Sequence, residues 1–121
     1  MKLVLKSGTL SLTLDLKDTP TSRALFEAAP FEARAQTWGE EVYFETPVSA
    51  KLEADARQVV EPGTVCFWTQ GDALALPFGR TPISTDDKPK LANPCNVLGS
   101  LADFSSLRKI KSGDKVRVEK A

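Results

Sequence analysis

The stretch TWGEEVYFETPV, residues 37–48, joins a glycine-containing turn to a strongly β-forming segment. Its centre, residues 42–44, consists of the β-branched and aromatic types that suit a half-buried pleated surface. Trp38 precedes the turn glycine, and Pro47 ends the strand because proline cannot donate a hydrogen bond to a β-ladder. The stretch therefore predicts one strand of a sheet, entered through a tight turn that carries an aromatic side chain.

Segments of similar character continue on both sides of this stretch, and turn-forming residues separate them. The predicted strands are residues 3–5, 10–16, 31–36, 41–46, 65–68, 73–78, 97–101 and 115–120. Residues 49–58 are predicted to form a loop or a loose strand. Residues 79–94 contain three prolines and little periodicity, which predicts a long loop. Long loops in compact domains are often functional.

The sequence contains one clear helix start. Thr19 is a suitable N-cap, and Pro20 occupies the first helical position, where its missing N–H costs nothing. Helix-forming residues follow until Pro30, which ends the helix. A second, shorter helical turn is predicted over residues 104–110.

Together these elements predict a mostly-β protein. We expect a closed barrel of about eight strands with two short helices, formed by a single domain over residues 1–121. Closure is expected because it removes the unpaired edges that so many strands would otherwise expose.

Several ordered motifs carry a resemblance to a known family. They are the stretch 37–48, VVEPGTV at 59–65 followed by Phe67 and Trp68, GDALALPFGRTP at 71–82, and NVLG at 96–99. These motifs resemble those of small bacterial and archaeal proteins with a cyclophilin-like fold, a family of uncharacterised function. The resemblance runs from Leu3 to about Val118, and it implies an eight-stranded barrel capped by two helices.

The resemblance does not imply prolyl isomerisation. Cyclophilins carry a Phe-His-Arg motif on the strand after the first helix, whereas residues 31–36 here are FEARAQ, without histidine. Isomerisation requires an apolar proline pocket and a cation that withdraws the nitrogen lone pair from amide resonance. Arg34 is the arginine of this strand, and we expect it on the polar face.

The residue types that are absent exclude several kinds of catalysis. The chain has no histidine and two cysteines. This excludes Ser-His-Asp and Cys-His nucleophilic catalysis, His-ligated zinc and zinc sites built from cysteine alone. We therefore expect no common catalytic residues, no metal and no cofactor. Cys66 is predicted to be an inert core thiol, and Cys95 is predicted to lie in a loop.

Charge and hydropathy narrow the range of partners and locations. Sixteen basic and sixteen acidic residues give a net charge of zero, which argues against nucleic acid as a partner. We found no apolar run with the length of a signal peptide or a membrane span, so we expect no membrane association. The sequence predicts a cytoplasmic protein, in which the thiols remain reduced.

Aromatic residues near the turns suggest a concave site, since aromatic side chains with a polar atom commonly line such sites. The predicted ligand-binding residues are Trp38, Glu40, Tyr43, Trp68, Arg80 and Asn96. Glu41 is an alternative to Glu40 as a polar anchor. The two carboxylates face opposite sides of a strand, so they cannot act together on one substrate. In a purely structural alternative, the two tryptophans plug the barrel ends.

These observations favour a non-catalytic module that binds a small ligand or a peptide. Two alternatives stay open. One is an atypical prolyl isomerase, in which Arg34 or Arg80 polarises a bound amide. The other is a domain that docks on a subunit of a larger bacterial complex. An exposed sheet edge near residues 47–58 would also allow a homodimer.

Overall fold

The computed structural model describes residues 1–121. It contains ten strands, one α-helix and one 3₁₀ helix. The strands are β1 (Lys2–Ser7), β2 (Leu10–Leu16), β3 (Phe31–Arg34), β4 (Gln36–Thr37), β5 (Glu41–Glu45), β6 (Arg57–Val59), β7 (Thr64–Trp68), β8 (Ala73–Pro77), β9 (Lys90–Ser100) and β10 (Lys115–Lys120). Helix α1 spans Pro20–Ala28, and the 3₁₀ helix spans Phe104–Lys109.

The strands form one nearly closed, barrel-shaped sheet. Its order is β3-β10-β1-β2-β9-β7-β8-β5-β4, and β6 pairs with β9 beside this path. The two ends of the order, β3 and β4, are consecutive parts of one extended segment interrupted only at Ala35. The first part pairs with β10 and the second with β5. The backbone of Ala35 bonds to Gly113 and Asp114 beside β10, so one segment of chain joins the two edges.

The barrel interior holds the main hydrophobic core. This cluster of 21 buried residues includes leucine, valine and phenylalanine side chains from strands all around the sheet. In β5, for example, Val42 and Phe44 are fully buried and belong to the cluster, while Glu41, Tyr43 and Glu45 alternate onto the outer face. The alternation follows from the two-residue period of a strand.

The two helices contribute to the same core. Thr19 caps α1, and its side chain accepts a hydrogen bond from the backbone N–H of Ser22. Leu25 of α1 and Leu107 of the 3₁₀ helix are both fully buried within the cluster. Neither helix is long and apolar enough to cross a membrane.

The predicted fold class is confirmed, with two strands more than expected. The additional strands are β4, which results from the interruption at Ala35, and β6, which lies at the end of the predicted loose segment. Both helices and the N-cap of the first are found where the sequence predicts them.

The loop predicted over residues 79–94 is wrong for its last five residues, 90–94. Strand β9 begins at Lys90, and its first half pairs with β6 rather than with the barrel. The three prolines and the weak periodicity of this segment led to the loop prediction. The β6–β9 pairing shifts register between the residues opposite Cys95 and Lys90, so Pro94 lies within an irregular stretch of the ladder.

The outer face of one side of the barrel carries a second apolar cluster. It contains the buried residues Val60, Cys66, Ala75, Leu91, Cys95 and Val97, with Tyr43 and Trp68 packed against it. The first half of β9 and strand β6 fold over this outer face. Strands β7 and β8 are therefore apolar on both faces, and β5 places Glu41 and Tyr43 on the outer face beside them.

Strands β2 and β9 approach each other closely where Gly99 pairs with Leu16, and this contact generates a prediction. A Cβ atom at this position would collide with the backbone carbonyl of Asp15 and lie 2.9 Å from the Cα of Leu16. Because backbone cannot yield as a side chain does, Gly99→Ala is expected to lower the free energy of unfolding by about 3 kcal/mol, the upper part of the range for overpacking. Urea denaturation measures this loss.

Ser100→Ala is the matched control, since Ser100 is the next residue of the same strand and is exposed. Its effect should stay within about 0.5 kcal/mol. Equal stability of the Gly99 and Ser100 variants would contradict the close backbone approach.

Candidate functional site

A pocket of about 300 Å³ opens on the outer face of the barrel, within the second apolar cluster. Its lining is aromatic and aliphatic apart from one carboxyl group and one thiol. The lining residues are Trp38, Glu41, Tyr43, Trp68, Ala75, Leu91, Ala92 and Cys95.

The depth of the pocket follows from small side chains in the middle of the sheet. Tyr43 lies opposite Ala75, Ala75 lies opposite Cys66, and Cys66 lies opposite Val97. Directly opposed residues share one face of a sheet. The row therefore runs from a large aromatic residue across alanine and cysteine, and the small residues leave a depression beside the ring.

Tyr43 and Trp68 form one wall of the pocket. Their rings meet edge to face, with centroids 6.4 Å apart and an interplanar angle of 88°. The Tyr43 hydroxyl donates to Oε1 of Gln36 at 3.1 Å, and the indole N–H of Trp68 donates to Oδ1 of Asn93 at 3.0 Å. Because the polar atom of each ring has a partner outside the pocket, the rings offer the pocket their apolar surfaces.

The turn between β4 and β5 positions Trp38 and Glu41. The backbone N–H of Trp38 donates to the carbonyl of Glu41 at 3.0 Å. Gly39 has φ +59°, and a Cβ there would lie 2.9 Å from the carbonyl oxygen of Arg80. Glycine is therefore required here for two reasons: it adopts the positive φ of the turn, and it leaves room for the loop after β8. Trp38 is half-buried at the pocket.

Glu41 is the one charged group in the pocket lining. Its side chain is 6% exposed, and its Oε1 atom is buried without a hydrogen-bond partner. Burial raises the pKa of this carboxyl from the usual 4.5 to about 7. Near neutral pH the group can therefore donate a hydrogen bond when protonated, or accept one or pair with a cation when ionised.

The two cysteines are free and buried beside Glu41. Burial, with a smaller contribution from the Glu41 charge, raises the pKa of Cys95 to about 12. Burial also raises the pKa of Cys66. Cys66 is the core thiol that the sequence predicts. Cys95 is not in a loop but in β9, where its Sγ donates to the carbonyl of Asn93 at 3.3 Å. Both thiols stay protonated and are poor nucleophiles.

Three of the predicted site residues, Trp38, Tyr43 and Trp68, are brought together in the pocket lining. The other three lie outside it, and each has partners of its own. The Glu40 carboxylate pairs with Arg108 at 2.8 Å. The Arg80 guanidinium donates to the carbonyls of Asp86 and Ser84, within its own loop.

Asn96, the last of the three, is fully buried and satisfied by groups of the protein. Its Oδ1 accepts from the backbone N–H of Glu53 at 2.7 Å, and its Nδ2 donates to Thr21 and to the carbonyl of Lys51. This side chain ties the segment before β6 to helix α1. It leaves no polar atom for a ligand.

Four lining residues were not predicted from the sequence: Ala75, Leu91, Ala92 and Cys95. Glu41 was predicted only as an alternative to Glu40. One signal was present: residues 65–68 and 73–77 are apolar at successive positions, and such runs are typical of strands that are buried on both faces. This implies a covered outer face, and Glu41 alternates onto that face together with Tyr43.

The titratable residues do not assemble into a metal site. No group of three or more Asp, Glu or Cys side chains is placed to hold an ion.

The comparisons with known proteins agree with the barrel and its motifs. A sequence model described as cyclophilin-like matches residues 1–119. The chain belongs to the cyclophilin-like family. No curated protein sequence matches the chain.

Two solved structures resemble this cyclophilin-like barrel. A hypothetical protein from Archaeoglobus fulgidus, determined in solution, is 36% identical with a TM-score of 0.86, over 100% of this chain and 95% of that protein. McbB, solved in complex with tryptophan, is 17% identical with a TM-score of 0.68, over 98% of this chain and 44% of McbB. At this lower identity the likeness to McbB is one of fold alone.

The raised pKa of Glu41 predicts a pH-dependent cost in stability. In the unfolded chain the carboxyl titrates near 4.5, and in the folded protein near 7. The folded state therefore binds the proton more tightly, and its stability falls as the pH rises between these values. Glu41→Gln removes this pH-dependent loss of stability. Relative to the unmodified protein, the free energy of unfolding of the variant should therefore rise by up to about 3 kcal/mol between pH 4.5 and pH 8.

Denaturation at several pH values measures this difference. Glu45→Gln is the matched control, because Glu45 ends the same strand and is exposed. The Glu45 variant should show no such rise in the free energy of unfolding. If the free energies of unfolding of the Glu41 variant and the unmodified protein differ by a constant amount across this pH range, the Glu41 carboxyl is hydrated or partnered.

Proposed function

We propose that this protein is a small-molecule-binding domain and that its ligand occupies the pocket formed by Trp38, Tyr43 and Trp68. The ligand places an apolar or aromatic body against these rings. It also makes a polar contact with the carboxyl group of Glu41.

The observation that carries the proposal is the unpartnered carboxyl oxygen of Glu41. Buried polar groups are almost always hydrogen-bonded, because an unsatisfied one costs about 1–3 kcal/mol. Here the chain supplies no partner. Rotation about the broad terminal torsion of glutamate lets either oxygen face the pocket. A bound ligand would satisfy this group.

The size and lining of the pocket support a small ligand over a peptide. A volume of about 300 Å³ lies at the lower end for small-molecule sites. An apolar lining with one placed polar group is also typical of such sites. A peptide bound along a groove would require a row of main-chain partners, and the lining offers one carboxyl group.

No specific observation supports either alternative function, the atypical prolyl isomerase or the docking domain. Arg34 is exposed on β3 and donates to the carbonyl of Gly113, and Arg80 bonds within its own loop. Neither arginine lines the apolar pocket, so no cation is placed there to polarise an amide. The docking hypothesis has no surface feature in its favour.

The proposal predicts that members of a compound panel raise the melting temperature. The panel contains one-ring and two-ring aromatic compounds as cations, neutral molecules and anions. It includes tryptophan, since McbB was solved in complex with that molecule. A ligand present at 100 times its Kd stabilises the folded state by about 2.7 kcal/mol, which a thermal-shift assay detects.

Two pocket variants test where such compounds bind. Trp38→Ala removes one wall, and Ala75→Leu fills the floor between Tyr43 and Cys66. Both should abolish the shift while the chain still folds. Ala102→Leu is the control, because Ala102 is exposed and lies outside the lining. Shifts that persist in both pocket variants, or no shift with any compound of the panel, would overturn the proposal.

A further inference from the structure

We propose that the pocket is selective for small organic ammonium ions, with the ammonium group paired to the Glu41 carboxylate and the apolar body packed against Trp38, Tyr43 and Trp68. This inference rests on the proposed function and specifies the chemical class of the ligand.

The charge within the pocket lining favours a cation as ligand. Glu41 is its one charged side chain, and no lysine or arginine is among the lining residues. No ion pair of the protein includes Glu41; the eight salt bridges all involve other carboxylates. An ionised Glu41 would therefore be a buried negative charge without a counter-charge, and a ligand cation would supply one.

The groups that surround Glu41 do not change this balance. Cys66 of β7 and Cys95 of β9 have raised pKa values and remain neutral thiols. On its own strand, the Tyr43 hydroxyl is bonded to Gln36.

Two cations lie on strands beside the pocket. Arg57 of β6 lies opposite Cys95 and is exposed, and Lys90 is the half-buried first residue of β9. Neither forms an ion pair with Glu41. The pocket lining itself therefore supplies no counter-charge.

The aromatic side chains of the lining favour a cation as well. The face of an aromatic ring is electrostatically negative and attracts a cation, and tryptophan attracts it most strongly. Two of the three rings here are indoles. Because the polar atoms of Tyr43 and Trp68 are already bonded elsewhere, the rings contribute surface rather than hydrogen bonds. Rings around a single carboxylate are a suitable environment for an ammonium group with an attached hydrocarbon.

The same geometry argues against anions and leaves one neutral competitor. An anion would meet an ionised or readily ionised carboxyl and no positive group. A neutral ligand with a carbonyl would require Glu41 to be protonated, so that the carboxyl can donate. The two ligand classes have opposite pH dependences. A cation binds better as Glu41 ionises, whereas a neutral acceptor binds better as Glu41 takes up a proton.

Matched pairs of compounds separate these cases. The probes are phenethylammonium against 2-phenylethanol, and naphthylmethylammonium against naphthylmethanol, which have similar shape and differ in charge. Isothermal titration calorimetry at pH 5.5, 7 and 8.5 measures each Kd; alkylammonium groups remain largely protonated over this range.

The cations should bind at least tenfold more tightly than their alcohols at pH 8.5. Their affinity should rise by up to about 30-fold from pH 5.5 to 8.5, because only about one Glu41 carboxyl in 30 is ionised at the lower pH when its pKa is about 7.

Glu41→Gln should remove both the preference for the cation and the pH dependence, and Glu45→Gln should leave both unchanged. Alcohols that bind as tightly as the cations, or cations that bind less tightly as the pH rises, would overturn this inference and leave the proposed function standing. The compound-pair and pH comparisons need only the unmodified protein, so they decide the question even if a variant fails to fold. Absence of binding by every compound of the wider panel would overturn both proposals.

Discussion

The architecture depends on one constraint: strands β7 and β8 are apolar on both faces, and both faces must be covered. The barrel interior covers one face with the main core. On the outer face, the cover consists of β6, the first half of β9 and the turn at Trp38. This cover is incomplete over the small side chain of Ala75. The pocket is the space that remains there, so it is a consequence of how the sheet is closed and covered.

The same cover removes water from Glu41. A carboxyl that loses its hydration shell and gains no partner becomes harder to ionise, which is why its pKa rises. The chain keeps this unfavourable group at the wall of an apolar pocket, although a glutamine or leucine there would be easier to bury. Groups whose pKa is shifted by burial within a cleft are candidates for functional sites on physical grounds. Glu41 meets this description.

Much of the fold follows from sequence because local signals and strand periodicity agree. The Thr19-Pro20 helix start and the alternating hairpin of β1 and β2 lie where their residues predict them. The first five residues of β9 were predicted as loop because residues 79–94 contain three prolines and little periodicity, and an irregular pairing such as that with β6 leaves no such pattern in the sequence. The three aromatic residues of the pocket were found because each carries a polar atom, and aromatic side chains of this kind commonly line concave sites. Asn96 and Arg80 were selected by residue type, but type cannot show that their polar atoms bond within the protein.

Glu41 is a buried, unpartnered carboxyl in a pocket without a counter-charge, and its pKa is the most direct test of this description. A ¹³C NMR titration of the glutamate side-chain carboxyls measures that pKa, with the Glu41 signal assigned by its loss in Glu41→Gln. We expect a midpoint near 7 for Glu41 in the unliganded protein. A midpoint at or below 4.5, the usual value for a hydrated or hydrogen-bonded glutamate, would contradict it.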